Sequence, residues 1–275
     1  MKSKRFSLLS RLLLVPKCAS CDERLSPFAE HHKLTHGYAC LCDKCREAWQ
    51  MAKSEMCHTC YLTADKCTCL PRGKGFSQPY IPSLFFYHPD KSKPQNKVIY
   101  SLKHKDNSEL VGFLAKELSV RLERMLSENG VSAQACIFTW IPRKRASLIK
   151  DGFDQGERLC AALAAELGGK SYPLFVRVGG KEQKRLEKQE RTANAESSVF
   201  LNYCMRGVRA TDEIERIDEI FRGKTVVIID DIITTGATLS RGISELMSSG
   251  ASRVFVCCAA RYEATTKKNR KQKDL

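Results

Sequence analysis

The stretch VVIIDDIITTGATLS, residues 226–240, constrains this chain more than any other segment. Val226 to Ile229 are four consecutive β-branched residues, the pattern of a strand buried on both faces in a parallel sheet. Asp230 and Asp231 follow, then Ile232 and Ile233, then a loop of Thr234, Thr235, Gly236, Ala237 and Thr238 that opens a helix. Small residues at a helix start expose backbone N–H groups, and the helix dipole adds partial positive charge there. Three threonine hydroxyls add donors, and Gly236 lets the backbone approach an anion with no Cβ in the way. The loop suits a terminal phosphate monoester. The two acids, at the end of a strand where open α/β sheets bind ligands, suit sugar hydroxyls or a magnesium-bound ligand. A purely structural role fits poorly, because an unpaired carboxylate pair on a buried strand costs free energy.

The rest of the C-terminal part repeats this alternation. YIPSLFFY (80–87), CIFTWIP (136–142) and RVFVCCAA (253–260) read as strands beside TVVIID (225–230). Leu110, Val111, Leu114, Leu118, Leu122 and Met125 form a helical stripe over 108–126, with a cap among Asp106 to Ser108. Asp154 and Glu157 stand at capping-box spacing before a helix running to Leu167 and Gly168. Between the 136–142 strand and that helix lies a basic loop, RKRASLIKDGF. The polar segment 178–197 reads as a long loop and residues 211–222 as a charged helix. Strands alternating with helices predict a parallel sheet covered on both faces.

Before residue 70 the chain has a different chemistry. Nine of the fourteen cysteines lie between Cys18 and Cys69, in CxxC pairs at Cys18/Cys21, Cys42/Cys45 and Cys57/Cys60 and a CxC pair at Cys67/Cys69. Knuckle-spaced pairs point to metal rather than disulfides. Two pairs complete one tetrahedral thiolate site, so eight thiolates make two structural zinc sites. Sequential pairing gives Cys18, Cys21, Cys42, Cys45 and then Cys57, Cys60, Cys67, Cys69; an interleaved pairing and a replacement of Cys42 by Cys40 are the alternatives. His31, His32 and His36 are weaker candidates, because the cysteines suffice. So short a segment needs the metal to fold. Cys136, Cys160, Cys204, Cys257 and Cys258 sit in apolar runs and read as small core residues.

Residues 1–70 are thus expected to form a zinc-binding module with a short amphipathic helix through Leu8, Leu9, Leu12 and Leu13. Residues 71–79 form a linker, 80–262 the α/β domain and 263–275 a basic tail. Arg11 interrupts the first apolar run and no cleavage pattern follows it, which argues against a signal peptide. No run of ~18 apolar residues predicts a transmembrane helix. Both features, with the reduced cysteines, point to the cytoplasm. The net charge of +15 favours polyanionic partners, whether nucleic acid, anionic membrane or phosphorylated ligands.

All thirteen positions from Val226 to Thr238 resemble the phosphoribosyl-pyrophosphate signature of type I phosphoribosyltransferases. That resemblance implies that Thr234, Thr235, Gly236, Ala237 and Thr238 hold the 5-phosphate. It implies that Asp230 and Asp231 are the catalytic acids and hold the ribose hydroxyls, and that magnesium travels with the pyrophosphate. Arg143, Lys144 and Arg145 follow the 136–142 strand, where this fold places its pyrophosphate loop. The whole chain resembles the ComF family of competence-associated proteins, a zinc ribbon followed by a phosphoribosyltransferase-like domain. SLKHKDNSELVGFLAKEL (101–118), IPRKRASLIKDGFDQ (141–155) and Gln183, Leu186, Arg191 and Asn194 carry this resemblance. Asp154 stands where the family has Asn, Lys150-Asp151 replaces a more basic pair, and 203–222 is an insertion. The ComF resemblance implies a role in DNA uptake in natural transformation, acting on single-stranded DNA beside other DNA-uptake proteins. Two further readings stay open. One is a phosphoribosyltransferase of nucleotide metabolism acting on an unidentified acceptor; the other is ligand binding without turnover.

Overall fold

The computed structural model describes residues 16–25, 40–70, 75–88, 90, 92–177, 199–202 and 217–263. The amphipathic N-terminal helix, His31, His32, His36, Cys204, the 178–197 loop and the tail beyond Glu263 lie outside the described residues.

Five strands form one all-parallel sheet in the order β1-β7-β6-β2-β3. They are β1 (Phe85–Phe86), β2 (Ile137–Trp140), β3 (Lys170–Ser171), β6 (Thr225–Ile233) and β7 (Arg253–Arg261). β4 (Phe175–Arg177) and β5 (Val199–Leu201) pair antiparallel as a separate ribbon. The central strand β6 runs between β2, with Ile229 opposite Trp140, and β7, with Ile233 opposite Arg261. Its residues alternate between two cores. Val227 and Ile229 face one with Phe255 and Cys257; Val226 and Ile228 face the other with Val254 and Val256.

The first core is closed by α3 (Ser108–Glu128) and α5 (Gln155–Glu166). Asn107 caps α3 by accepting from the Leu110 N–H at 3.0 Å. The second core is closed by α6 (Ile217–Phe221) and α7 (Ala237–Ser248), whose Leu239, Ile243 and Leu246 face inward. The predicted sheet with helices on both faces is present. Cys136, Cys160, Cys257 and Cys258 are buried in it as core residues.

Several local expectations are corrected. The first strand shrinks to two residues, because Pro82 has no N–H to give the ladder. Flanking hydrogen bonds, Leu84 N–H to Ala259 O and Cys258 N–H to Pro82 O, still hold this edge extended. The basic loop after β2 contains a helix, α4 (Arg145–Asp151), ended by Gly152 at φ 77°. β6 continues to Ile233, so both acids lie within the strand.

The cysteine-rich part carries a regular helix. α1 (Asp43–Lys53) buries Cys45, Trp49 and Ala52, one stripe at helical spacing. Trp49 packs its ring against Phe85 of β1 and Phe113 of α3, with centroids 5.2 and 5.3 Å away. Lys53 pairs with Glu117 at 2.7 Å and Arg124 with Asp65 at 2.8 Å. The module therefore packs on the α/β domain through apolar and charged contacts. α2 (Pro94–His104) lies between the two, its start receiving the Ser20 hydroxyl at Pro94 O.

Candidate functional site

The carboxyl end of β6 opens into a hollow lined by Asp230, Ile232, Ile233, Thr234, Thr235, Gly236, Ala237, Thr238 and Leu239. Gly236 occupies the cap position of α7 at φ 74°, a left-handed conformation that costs other residues about 1 kcal/mol or more. That turn aims the unpaired N–H groups of the helix's first turn at the hollow. Thr234 and Thr235 are exposed there, and Thr235 Oγ1 accepts from the Ala237 N–H at 3.4 Å. The structure thus brings together in one concave surface the whole loop anticipated from sequence, together with Asp230.

The two acids have different surroundings. Asp231 is buried; its carboxylate accepts from Gln155 Nε2 and pairs with Lys103 Nζ, each at 3.1 Å, and takes the Ile232 N–H at 2.8 Å. Asp230 accepts the Asp231 N–H at 2.8 Å. Its surface is partly open toward the hollow, yet its carboxyl is packed about by protein. Burial first, then the Asp231 charge, push it well above the usual carboxylate range, against the opposing Lys103 ammonium. Arg177, at the end of β4, faces Asp230 and Asp154; burial draws its guanidinium below its ordinary value. A cation-bearing ligand at this place would meet an acid whose ionisation it favours.

The basic run separates into two roles. Arg143 is fixed: it donates from Nη1 to Lys103 O at 3.1 Å and Phe153 O at 3.2 Å, and from Nη2 to Asp151 at 2.7 Å. Its own N–H donates to Asp154 Oδ2 at 2.9 Å. His104 contacts the other Asp151 oxygen at 3.1 Å, and that hydrogen bond, with Arg143, holds the Asp151 carboxyl low. Lys144 and Arg145 are exposed at the start of α4, a helix that buries none of its residues. Gln155, Lys103 and Arg177, which meet the acids, were not anticipated. Gln155 follows a recognisable cap, Asp154, and both Gln155 and Lys103 fall inside the segments 141–155 and 101–118 that carry the family resemblance; Arg177 carries no local signal.

The eight cysteines form two clusters in the sequential pairing, Cys18, Cys21, Cys42, Cys45 and Cys57, Cys60, Cys67, Cys69, with all sulfurs of a set within 4.8 Å. Zinc–sulfur bonds of about 2.3 Å place tetrahedral sulfurs about 3.8 Å apart. The Cys21–Cys42, Cys57–Cys69 and Cys60–Cys67 separations of 3.7, 3.8 and 3.5 Å match that spacing. Each cluster is built on the same turn. Cys18 N–H and Cys57 N–H donate to Glu23 O and Leu62 O, while Cys18 O and Cys57 O accept from Asp22 and Tyr61, which adopt φ 61° and 55°. Cys42 N–H donates to Cys18 Sγ and Thr59 N–H to Cys57 Sγ, as thiolate ligands require. Cys40 belongs to neither set. Burial pushes its thiol up to about 12, which keeps it protonated.

Residues 154–274 match the phosphoribosyl transferase domain family. The chain is 25% identical over 228 residues to the DNA utilization protein YhgH of Shigella flexneri, covering 83% of this chain and 93% of that one. It is also 41% identical over 46 residues to a ribose-phosphate pyrophosphokinase of Bacillus cereus, 17% of this chain and 14% of that one. Among solved structures, a purine phosphoribosyltransferase from Pyrococcus horikoshii aligns with a TM-score of 0.31 and 20% identity, over 56% of this chain and 77% of that one.

Proposed function

We propose that this chain, a homologue of the ComF-family DNA utilization protein that carries a phosphoribosyl transferase domain, binds phosphoribosyl pyrophosphate with magnesium and handles single-stranded DNA in natural transformation. The observation that carries the ligand half is the α7 cradle. Gly236 at φ 74° turns a hydroxyl-lined loop onto a helix N-terminus directly after an acid-bearing strand. Thr234, Thr235, Gly236, Ala237 and Thr238 would hold the 5-phosphate. Asp230 would hold the ribose hydroxyls, and Asp231, kept in place by Lys103 and Gln155, would join it. Magnesium would neutralise the pyrophosphate charge. Lys144 and Arg145 would meet that charge at the mouth, while Arg143 orients the segment. Two structural zinc ions would occupy the cysteine clusters.

For DNA, α4 is the supporting feature. It exposes Arg145 and Lys150, with Lys144 just before it, beside Leu148 and Ile149, a cationic surface with apolar interruptions suited to phosphates and base faces. Lys103 and Lys105, by contrast, are engaged with Asp231 and Asp22 and contribute less. Among the described residues no helix is long and apolar enough to cross a membrane. The proposed place of action is the cytoplasmic side, beside other DNA-uptake proteins.

The test is a single-stranded DNA titration across salt. The slope of log affinity against log salt should be about −0.7 per phosphate neutralised. Deleting the residues after Tyr262 should lower that slope and leave phosphoribosyl pyrophosphate affinity unchanged. Competition between saturating phosphoribosyl pyrophosphate and DNA would place the strand across the α4 mouth. Absence of DNA binding at low salt, where electrostatics are strongest, would overturn DNA handling. The second reading, transfer of the phosphoribosyl group to an acceptor, would then lead. Pyrophosphate released in an acceptor-dependent way would mark it.

A further inference from the structure

Arg261 ends β7 and is fully buried. A guanidinium stays protonated in any protein setting, so a full positive charge sits in dry surroundings. Such a charge is normally matched by a carboxylate. Among the described residues no carboxylate forms an ion pair with it, and its Nε has no hydrogen-bond partner. Its other nitrogens go elsewhere. Nη1 donates to Cys67 O at 3.1 Å and Nη2 donates to Cys69 O. Both acceptors are the main-chain carbonyls of residues whose side chains belong to the second thiolate cluster.

A divalent metal held by four thiolates carries a net charge of −2. The first cluster has a solvent answer to that charge, since Cys21 is exposed. The second has no exposed thiol: Cys57 and Cys67 are buried, and Cys60 and Cys69 half-buried. We infer that Arg261 is the counter-charge of the second metal site, a positioning residue that both neutralises the tetrathiolate–metal unit and fixes the 67–69 loop through its two carbonyls. This explains a buried arginine with no acid partner among the described residues: its counter-charge is the metal cluster itself. The same residue stands opposite Ile233 in the β6–β7 ladder, and Tyr262 N–H donates to Ile233 O at 2.8 Å, one residue before Thr234. The second cluster is thereby tied to the strand end that carries the phosphate loop.

Three full-length variants separate charge from hydrogen bonding. Arg261→Lys keeps the charge, Arg261→Gln keeps an amide donor without charge, and Arg261→Met keeps neither. Metal is counted after purification, and its release to a chromogenic chelator is timed. Alkylation of released thiols with peptide mapping assigns the site. Removing an outer-sphere partner of a metal site typically weakens retention by about 10–100-fold. Gln and Met are expected to lose or release the Cys57/Cys60/Cys67/Cys69 metal at least about tenfold faster, with the Cys18/Cys21/Cys42/Cys45 metal unchanged, and Lys should lie close to wild type. Wild-type rates in Arg261→Gln would overturn the inference, as would Lys behaving worse than Gln. If the neutral variants fail to fold, wild-type protein stripped of metal decides. Its Arg261 and Tyr262 amides should exchange with solvent faster while those of α5 hold; unchanged exchange there overturns the inference. A wild-type protein that never holds metal would instead refute the zinc sites themselves.

Discussion

Asp154→Asn moves one position toward the pattern this chain resembles, and the structure expects it to destabilise. Asp154 is buried and uses both oxygens. Oδ1 accepts from the Gly156 and Glu157 N–H groups at 2.8 and 3.3 Å, capping α5, while Oδ2 accepts the Arg143 N–H at 2.9 Å. An asparagine has one oxygen. If it caps the helix, its NH2 faces the Arg143 N–H; if it serves Arg143, the NH2 faces the helix start. One donor is left unmatched in either rotamer. A lost hydrogen bond to a charged acceptor is worth about 1.5–3 kcal/mol, and the charge at a helix N-terminus about 0.3–1 more. The sum is about 2–4 kcal/mol. In a chain of this size each kcal/mol lowers Tm by about 2–4 °C, so a fall on the order of 5–15 °C is expected. Urea denaturation with far-ultraviolet circular dichroism gives the difference directly, and Asp154→Ala, which loses all three hydrogen bonds, should fall further. An Asn variant within about 0.5 kcal/mol of wild type would refute the two-sided role given to this carboxylate.

Metal analysis of protein purified without chelator should return a ratio near two per chain, as two sets of four thiolates require; a ratio near zero contradicts both sites, and a ratio near one removes one of them. The Asp230 carboxyl sits above its unfolded value of about 3.9, so its contribution to stability is present below about pH 4 and lost as pH rises through the folded value. Asp230→Asn, which does not titrate, should therefore match or trail wild type in acid and exceed it in stability near neutral pH; denaturation midpoints measured across that range, with equal pH dependence in both proteins, would contradict the assignment.

The phosphate loop was readable because all of it lies in one contiguous segment. A buried strand, the acids, the hydroxyl loop and the helix follow one another, and strand-to-helix geometry fixes the rest. The thiolate pairing was readable for a similar reason, since CxxC spacing commits two sulfurs to one ion. What the sequence hid arrives from a distance. Gln155 reaches Asp231 from 76 residues away, Lys103 reaches the same carboxylate from α2, and Arg177 faces Asp230 from the end of β4. From sequence, Arg143 reads as one of three cations of the pyrophosphate loop. Its acceptors, Lys103 O and Phe153 O, exist only once α2 and the α4–α5 connection have packed together. α1 is masked in the sequence because cysteine spacing dominates its stretch. Its stripe of Cys45, Trp49 and Ala52 mixes a metal ligand into a helical face. From sequence β1 reads too long, because apolar residues on both sides of Pro82 disguise the break it makes.

The central claim is that the α7 cradle and the β6 acids bind phosphoribosyl pyrophosphate. Titration calorimetry with magnesium and phosphoribosyl pyrophosphate, run on zinc-replete full-length protein, tests it most directly. Saturable binding to wild type is expected, weakened about ten- to a hundred-fold in Thr235→Ala and in Asp231→Asn, the loss of one phosphate-directed or charged hydrogen bond each. Both variants should keep the wild-type circular dichroism spectrum. Folded variants that bind as tightly as wild type, or a wild-type protein that does not bind the ligand at all, would contradict the site.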